Sequence, residues 1–247
     1  MPRFYIPPAR WNLDRLLLDE DETHHATDVL RMKAGDRATV FNGEGACASV
    51  ELAHISKRAI ELKLLTPSQS APPACRITLG QAIPKGKNMD LIVQKATELG
   101  AASVVPLTTE RTVVQFEARD AEKKREKWQA VAIEACKQCG QNWLPAVLPP
   151  QTLAHLFAET TFDLLLIASL APGALHPKTV LADFLPTTGA RPKSVLILIG
   201  PEGDFTPAEI ALALARGCRP ITLGPIVLRT ETAALYCLSV LSYELLG

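Results

Sequence analysis

Two short apolar runs constrain the fold of this chain more than any other feature of its sequence. Leu164–Ala168 and Val195–Ile199 are almost continuously apolar, as strands are when helices cover both faces of a parallel sheet. Arg76–Ile83 and Ser103–Leu107 are also strand-like, and a long helical pattern runs from about Arg119 to Cys139. Strands that alternate with helices in this way predict a parallel α/β domain.

The ends of several helices can be read from local signals. Apolar residues from Met89 to Leu99 share one helical face, and Gly100 predicts the end of that helix. Thr206-Pro207-Ala208-Glu209 matches a capping box with proline at the first helical position. A short strand at Ile221–Leu223 and a closing helix at Thr232–Leu246 complete the predicted domain.

The first 65 residues have a different pattern, with short segments rich in strand-forming residues. One helix is predicted at His24–Met32, with Thr23 as its cap and Gly35 beyond its end. Short antiparallel strands with one helix predict a small barrel. The predicted strands are Phe4–Ile6, Ala38–Phe41, Ala46–Ile55 and Ala59–Leu65.

A polar, proline-rich stretch separates the two patterns. Thr66–Ala74 has four prolines or serines in its first seven residues and no hydrophobic period, so we predict a linker there. The predicted domains are therefore a β-rich domain at residues 1–70 and an α/β domain at residues 75–247.

Bulk composition favours a soluble cytoplasmic protein without a metal. The 26 basic and 26 acidic side chains cancel, so net charge indicates no particular partner. The six cysteines lack a disulfide-framework spacing, no secretory signal follows Met1, and no apolar run approaches the roughly 20 residues of a membrane span. Cys136 and Cys139 lie one turn apart on a predicted helix without a second pair, which predicts core packing and no zinc.

Two glycine loops near the C-terminus predict a binding pocket. Gly200–Gly203 and Gly224-Pro225 each follow a predicted strand, and ligands of open α/β sheets bind beyond the carboxyl ends of the strands. The Gly-x-Gly-x-x-Gly and Walker A signatures are absent from the sequence, so the common dinucleotide and triphosphate sites are not indicated. Ordinary strand–helix connectors remain the alternative reading of these loops.

Charged residues beside the loops suggest chemistry. Arg229 can hold carbonyl oxygens or phosphate in a fixed geometry, and a partly desolvated Glu231 can take a proton. A local ion pair that caps the last helix is the alternative. His24 and His25, with Arg3 and Lys33, suggest an RNA-facing surface, for which a helix cap or a surface patch is the alternative.

Six motifs along the chain resemble those of the RsmE family, ribosomal small-subunit methyltransferases of the SPOUT superfamily. The I-G-P-E-G and L-G-P-I-V-L-R-T-E-T-A motifs, in this order near the C-terminus, are the most specific of them. The six are Pro2–Tyr5, His24–Arg31, Gln94–Gly100, Glu134–Gly140, Ile199–Gly203 and Leu223–Ala233.

The resemblance implies a fold and a reaction. It implies a PUA-like β-barrel for RNA at residues 1–70, and at residues 75–247 an α/β SPOUT methyltransferase domain with a deep trefoil knot. It further implies a homodimer with S-adenosylmethionine as cofactor. The implied reaction is methylation of uracil N3 at one uridine of the 16S rRNA of the small ribosomal subunit. Two alternatives stay open: methylation of another base or a ribose 2′-hydroxyl, and an RNA-binding protein without catalysis.

Carried over by position, the resemblance implies three sets of site residues. The catalytic set is Arg229, Glu231 and Glu202, and the RNA-binding set is Arg3, His25, Arg31, Lys85, Lys95 and Arg111. The chain departs from the family at Gln141-Asn142-Trp143, where relatives commonly have Arg-Asn-Arg, and at Ala168–Pro172, where many have a Leu-His-Pro-like turn. The cofactor-binding set is Ile167, Ala168, Ser169, Gly200, Pro201, Glu202, Gly203, Leu223, Gly224, Ile226, Val227 and Leu228.

Overall fold

The computed structural model describes residues 1–112 and 118–247, and in these ranges all side chains except those of residues 118, 119, 185 and 186. The chain forms two compact units. Within the described ranges, no helix combines the length and the apolar character needed to cross a membrane.

The first unit comprises Met1–Pro72 together with Ile133–Leu144. Its five strands form one sheet, in which the first strand is parallel to its neighbour and the other pairs are antiparallel. Phe4, Val40 and Leu52 are fully buried at the centre of its core. The strands are β1 (Arg3–Tyr5), β2 (Leu16–Leu18), β3 (Arg37–Phe41), β4 (Ala46–Ile55) and β5 (Ile60–Gln69), in the order β1-β3-β4-β5-β2.

The helix of the first unit begins earlier than the sequence predicted. Helix α1 (Glu20–His24) leads into a wider π-helical turn, His25–Val29. Asp19 is its cap, because the Asp19 carboxylate accepts a hydrogen bond from the Glu22 amide at 3.0 Å, and the acidic first turn suits the positive end of the helix dipole. The predicted cap at Thr23 is wrong, since Thr23 lies buried inside the helix.

Part of the predicted linker is a strand. Thr66–Gln69 belongs to β5 and pairs with β4, so that Pro67 lies opposite Ala48. A proline is tolerated there because β2, on the other side of β5, pairs only with residues 60–62, and the proline therefore faces an open edge. Only residues 70–74 of the predicted linker lie outside strands.

The second unit comprises Pro73–Ala132 and Pro145–Gly247. All its strand pairs are parallel, which confirms the predicted parallel α/β class. Both apolar runs that define the prediction are central strands. The strands are β6 (Arg76–Ala82), β7 (Ser103–Leu107), β8 (Ala146–Val147), β9 (Leu164–Ala168), β10 (Ser194–Ile199) and β11 (Arg219–Ile221), in the order β11-β9-β10-β6-β7-β8.

The helices of this part of the chain follow the local signals closely. Gly100, with a φ of +81°, follows the helix Asn88–Glu98, as predicted. The predicted capping box is confirmed, because the Thr206 hydroxyl accepts a hydrogen bond from the Glu209 amide and the Glu209 carboxylate accepts one from the Thr206 amide. The predicted strand at 221–223 is instead β11, whose Pro220 is tolerated at the sheet edge. The helices are α2 (Asn88–Glu98), α3 (Ala118–Cys139), α4 (Leu153–Glu159), α5 (Pro177–Thr188), α6 (Pro207–Ala215) and α7 (Thr230–Leu245).

Candidate active site

A cavity of about 290 Å³ lies at the carboxyl ends of β9, β10 and β11 in the second unit. Its size is at the lower end of the range of small-molecule sites. Its walls combine apolar side chains with backbone and a few charged groups. The lining residues are Ala168, Ser169, Leu170, Ile199, Gly200, Pro201, Glu202, Asp204, Ile221, Leu223, Gly224, Ile226, Val227, Leu228, Arg229, Thr230 and Ala233.

The first of the two loops around this cavity, Gly200–Asp204, is held by contacts from distant parts of the second unit. The Arg111 guanidinium donates to the Gly203 carbonyl. The backbone amide of Lys85 donates to Glu202 Oε1 at 2.9 Å. The loop therefore has a fixed shape on one wall of the cavity.

The turn inside this first loop uses an aspartate with unusual backbone geometry. Asp204 has a φ of +62°, a conformation that aspartate adopts more readily than most residues. Its carboxylate accepts a hydrogen bond from the Phe205 amide at 2.8 Å. A β-carbon on Gly200 would come within 3.2 Å of Asp204 Oδ1 and of the Phe205 nitrogen, so the turn favours glycine at position 200.

The second loop, Thr222–Leu228, is more open. Gly224 has a φ of +118°, which side-chain-bearing residues rarely adopt. Ile226 and Val227 line the cavity while remaining 69% and 76% exposed. This loop thus brings exposed apolar surface to the cavity rim and leads directly into α7.

The charged groups of the site lie near the start of α7. Arg229 is the residue before the helix, has an extended backbone, lines the cavity and is exposed. Its guanidinium is therefore accessible to a ligand in the cavity. Glu231 lies in the first turn of α7 and is not among the lining residues.

The structure brings most of the predicted cofactor residues together, with two exceptions. Ile167, a residue of β9, is fully buried in the hydrophobic core. Side chains alternate between the two faces of a strand, so Ile167 and its neighbour Ala168 face opposite sides. Gly203 does not line the cavity, and a β-carbon there would meet the Arg111 side chain at 3.3 Å. Of the predicted catalytic residues, Arg229 and Glu202 line the cavity and Glu231 does not.

Six lining residues were missed in the sequence. Ile199 and Ile221 end two of the strands, so their position beside the loops could have identified them. Thr230 and Ala233 lie three positions apart on α7 and therefore share a face. The full set of missed residues is Leu170, Ile199, Asp204, Ile221, Thr230 and Ala233.

The predicted RNA-binding residues of the second unit are not equally available. Lys85 is exposed. Lys95 is engaged by Glu98, whose two carboxylate oxygens are each 2.8 Å from the Lys95 ammonium. Arg111 is tied to the first loop through the Gly203 carbonyl.

In the first unit, two of the three predicted RNA-binding residues have internal partners. Arg3 donates to Asn142 Oδ1 at 2.6 Å. The His25 ring packs edge-on against Phe4. Arg31 is exposed and has a φ of +56°, a strained backbone for an arginine.

A buried ion pair in the first unit was not predicted. Lys137, on the part of α3 that belongs to this unit, lies 2.6 Å from Glu22, and the two side chains are only 10% and 11% exposed. Burial raises the pKa of the Glu22 carboxyl despite this partner. Burial opposes charge on Lys137 too, but hydrogen bonds to Glu134 and Glu22 outweigh it and raise the pKa of Lys137.

Of the two cysteines of α3, Cys136 packs in the core as predicted, whereas the prediction of core packing is wrong for Cys139. Cys136 is buried, and burial raises the pKa of its thiol to about 12, so the thiolate that a metal needs is disfavoured. Cys139 is exposed. Across residues 1–112 and 118–247, no group of three or more His, Cys, Asp or Glu side chains is arranged to hold a metal ion.

Family models match both parts of the chain. An RNA methyltransferase domain matches residues 71–242. An RNA methyltransferase PUA domain matches residues 18–65. The first of these covers well over half of the chain, and it contains both loops and the whole lining of the cavity.

Relatives match over nearly their full length. Ribosomal RNA small subunit methyltransferase E of Bacillus subtilis (strain 168) is 31% identical, with 99% of this chain and 97% of that protein covered. A Legionella pneumophila protein described as a methyltransferase, solved with the cofactor SAM bound, is 34% identical with a TM-score of 0.88, and 98% and 97% of the two chains are covered. Ribosomal RNA small subunit methyltransferase E from Neisseria gonorrhoeae, bound to S-adenosyl methionine, is 29% identical with a TM-score of 0.85 over 99% and 98%. The resemblance seen in the sequence motifs is thus confirmed, and the chain belongs to the ribosomal RNA small subunit methyltransferase E family, the RsmE family.

Proposed function

We propose that this protein transfers the methyl group of S-adenosylmethionine to N3 of one uridine in the 16S rRNA of the small ribosomal subunit. The observation that carries the proposal is the cavity at the ends of β9, β10 and β11, which both glycine loops and Arg229 line. Relatives of similar length and fold carry SAM or the name of this enzyme family.

The residues around the cavity fit this cofactor. Ile199, Ile221 and Leu228 offer apolar surface for a planar base, and the glycines leave backbone amides and carbonyls close to a ligand. The carboxylates of Glu202 and Asp204 lie on the same rim and can accept hydrogen bonds from hydroxyl or amino groups. When bound, S-adenosylmethionine supplies an electrophilic methyl carbon on a sulfonium.

Arg229 is the residue proposed to activate the base. N3 of uracil is a poor nucleophile until it loses its proton, and the negative charge then spreads onto the two carbonyl oxygens. The exposed guanidinium at the mouth of the cavity can donate to such an oxygen and stabilise the charge where it develops. The remaining requirement is alignment of N3 with the methyl carbon, which residues lining the cavity would have to impose on the bound cofactor and base.

Glu202 and Glu231 are the two candidates for accepting the proton. Glu202 lines the cavity, but one of its oxygens is engaged by the Lys85 amide, which leaves the other oxygen for a proton. Glu231 lies in the first turn of α7, just beyond Arg229. A comparison of Glu202→Gln with Glu231→Gln in single-turnover assays separates them, because loss of the true acceptor lowers the rate and makes it rise with pH, since hydroxide must then remove the N3 proton.

RNA binding is assigned to surfaces of both units. In the first unit, proposed to be a PUA-like barrel at residues 1–70, the exposed Arg31 follows the π-helical turn, and such turns often occur at functional sites. Lys85 and Arg111, beside the first loop, complete the cationic surface of the α/β domain, proposed at residues 75–247. Phosphate contacts by these side chains would position the RNA, and the target uracil must leave its stack to enter the cavity.

The α/β domain is further proposed to contain a deep trefoil knot and to form a homodimer in the cytoplasm. The knot is proposed from the resemblance to the RsmE family, and the strand order β11-β9-β10 is compatible with it. Large exposed side chains in the second unit support the dimer, because a partner copy would cover them: Leu91, Tyr236 and Tyr243 are 41%, 37% and 82% exposed. Sedimentation of wild type and Tyr243→Asp at equal concentration tests the dimer.

The reaction is tested with small ribosomal subunits from a strain that lacks this gene. After incubation with protein and cofactor, nuclease digestion and mass spectrometry should find one added methyl group, on one uridine, that co-elutes with 3-methyluridine. A methyl group on a ribose or another base would support the alternative methyltransferase reading. Tight RNA binding without transfer would support the non-catalytic reading.

A further inference from the structure

We propose that Gln81, which does not line the cavity, is a positioning residue that fixes the start of α7, and with it Arg229, against the first loop. The inference deepens the methyl-transfer function proposed above and rests on it. Gln81 is fully buried near the carboxyl end of β6, opposite Ile199 of β10. Its side chain thus lies one strand away from the cavity wall.

The Gln81 amide begins a chain of hydrogen bonds that ends on the first loop. Its Nε2 atom lies 2.8 Å from the Ala82 carbonyl oxygen and 2.9 Å from the Thr230 hydroxyl oxygen. The Thr230 hydroxyl in turn lies 2.7 Å from the Gly200 carbonyl oxygen. Three separate elements are therefore linked: the end of β6, the first residue of α7 and the first residue of the loop.

The donor and the acceptor of each of these three hydrogen bonds are determined. The Ala82 carbonyl can only accept, so the nitrogen of the Gln81 amide must face it, and the amide cannot be flipped. The second hydrogen of this nitrogen then points at Thr230, whose hydroxyl accepts it. The single hydroxyl hydrogen of Thr230 is left to donate to Gly200, and no alternative arrangement satisfies all three partners.

Core packing alone does not explain a glutamine at this position. Leu79 and Ile199, its neighbours along and across the sheet, are apolar and equally buried. The Oε1 atom of Gln81 is buried with no hydrogen-bond partner in the described part of the chain, which costs stability that a methionine of similar size would not lose. The two hydrogen bonds of its nitrogen offset part of this cost. They also favour one position of the start of α7.

The consequence for chemistry follows from the start of α7. Arg229 precedes Thr230 and makes no side-chain capping bond. The hydrogen bonds of the Thr230 hydroxyl to Gln81 and Gly200 therefore hold the backbone next to Arg229 in place. Displacement of Thr230 would move the Arg229 guanidinium relative to the cavity. Misplacement by about 1 Å is enough to slow a positioned reaction by up to roughly a hundred-fold.

The test compares Gln81→Met with Gln129→Met. Gln129 is a matched control in the same unit, because its side chain also makes two internal hydrogen bonds, to the Pro145 carbonyl and the Val147 amide, and does not line the cavity. We expect Gln81→Met to bind S-adenosylmethionine within about threefold of wild type. Its single-turnover rate at saturating cofactor should fall at least tenfold, whereas the rate of Gln129→Met should stay within threefold.

Two further measurements keep the inference testable if a variant or the assay fails. Thr230→Ser, which keeps the hydroxyl, should transfer at least fivefold faster than Thr230→Val, and adding Gln81→Met to Thr230→Val should cause little further loss. Hydrogen exchange in a peptide spanning residues 225–236 should accelerate in Gln81→Met and not in Gln129→Met, a readout that needs no activity. Wild-type protein that transfers no methyl group would refute the proposed function, and unchanged exchange or an unchanged rate in folded Gln81→Met would refute the positioning role.

Discussion

The two units place their charged groups in opposite ways. In the first unit, Glu22 and Lys137 are buried and paired, and their pKa values are shifted. In the second unit, Glu202 and Arg229 lie exposed at the rim of the cavity. Perturbed pKa values often mark active sites, but the shifted Glu22–Lys137 pair holds α3 residues onto the β-sheet within the first unit, and the groups proposed for chemistry face the solvent.

The contrast shows that the concave surface marks this candidate site, whereas the shifted pKa values of Glu22 and Lys137 do not. A buried ion pair that does not line the cavity stabilises one packing arrangement of the chain. An exposed arginine at the end of a glycine loop is available to bind a ligand. Changes in the first unit should therefore alter stability with little effect on chemistry, and changes at the cavity should do the reverse.

The largest expected effect is on stability, from Lys137→Met. This change leaves the Glu22 carboxylate buried without its cation, and breaking such a pair costs about 3 kcal/mol. Denaturant unfolding followed by tryptophan fluorescence measures the loss. Arg125→Met is the matched control, since Arg125 also lies on α3 and pairs with Glu122 at the surface, where an ion pair contributes little to stability.

The pH dependence of this variant has a defined sign. Because the pKa of Glu22 is raised in the folded protein, folding favours its protonated form, and the stability linked to it falls as pH rises through that folded pKa. Without Lys137 the pKa should rise further, so the deficit of Lys137→Met should be smaller at about pH 5 than at about pH 8. An equal deficit at both values would contradict the assigned cause. In the wild type, the raised pKa of Lys137 adds stability below the ordinary lysine pKa that is lost as pH rises through the folded value.

Arg229→Ala should have the converse effect. It should remain as stable as wild type and bind S-adenosylmethionine normally, but its single-turnover methyl transfer should fall about a hundred-fold or more, or about 2.7 kcal/mol of barrier. Arg229→Lys should recover part of the rate, because lysine keeps the charge without the planar fork. A rate for Arg229→Ala within about threefold of wild type would remove this residue from the mechanism.

Much of the second unit could be predicted because its signals are local. The apolar strands, the Thr206–Glu209 capping box and the two glycine loops each lie within a few residues, and parallel strands bring loop ends together by topology. The contacts that were missed join distant residues. Arg3 and Asn142 are 139 positions apart, and Gln81 and Thr230 are 149 positions apart. Hydrophobic periodicity and local motifs do not predict contacts between residues so distant in sequence.

A smaller effect is expected from Gly224→Ala in the second loop. The φ of +118° strains any residue with a β-carbon, so the loop should relax and cofactor affinity should fall about tenfold, or about 1.4 kcal/mol. Gly217→Ala is the matched control, since Gly217 has a φ of +85° and similarly open surroundings but does not line the cavity. Calorimetry should find both variants mildly destabilised and only Gly224→Ala impaired in binding; equal affinities would exclude a role for the second loop.

The smallest effect is expected at Arg31, where stability and RNA binding should change in opposite directions. Arg31 has a φ of +56°, which costs an arginine more than a glycine, so Arg31→Gly should raise the free energy of unfolding by about 0.5 kcal/mol. Arg37→Gly removes the same charge from strand β3, where glycine is unfavourable, and should lower stability by about 0.5–1 kcal/mol. If Arg31 contacts a phosphate, Arg31→Gly should also weaken binding to small-subunit RNA and reduce the slope of log affinity against log salt by about 1. A more stable variant with unchanged RNA affinity and salt slope would show that the strained backbone at Arg31 has no role in RNA recognition.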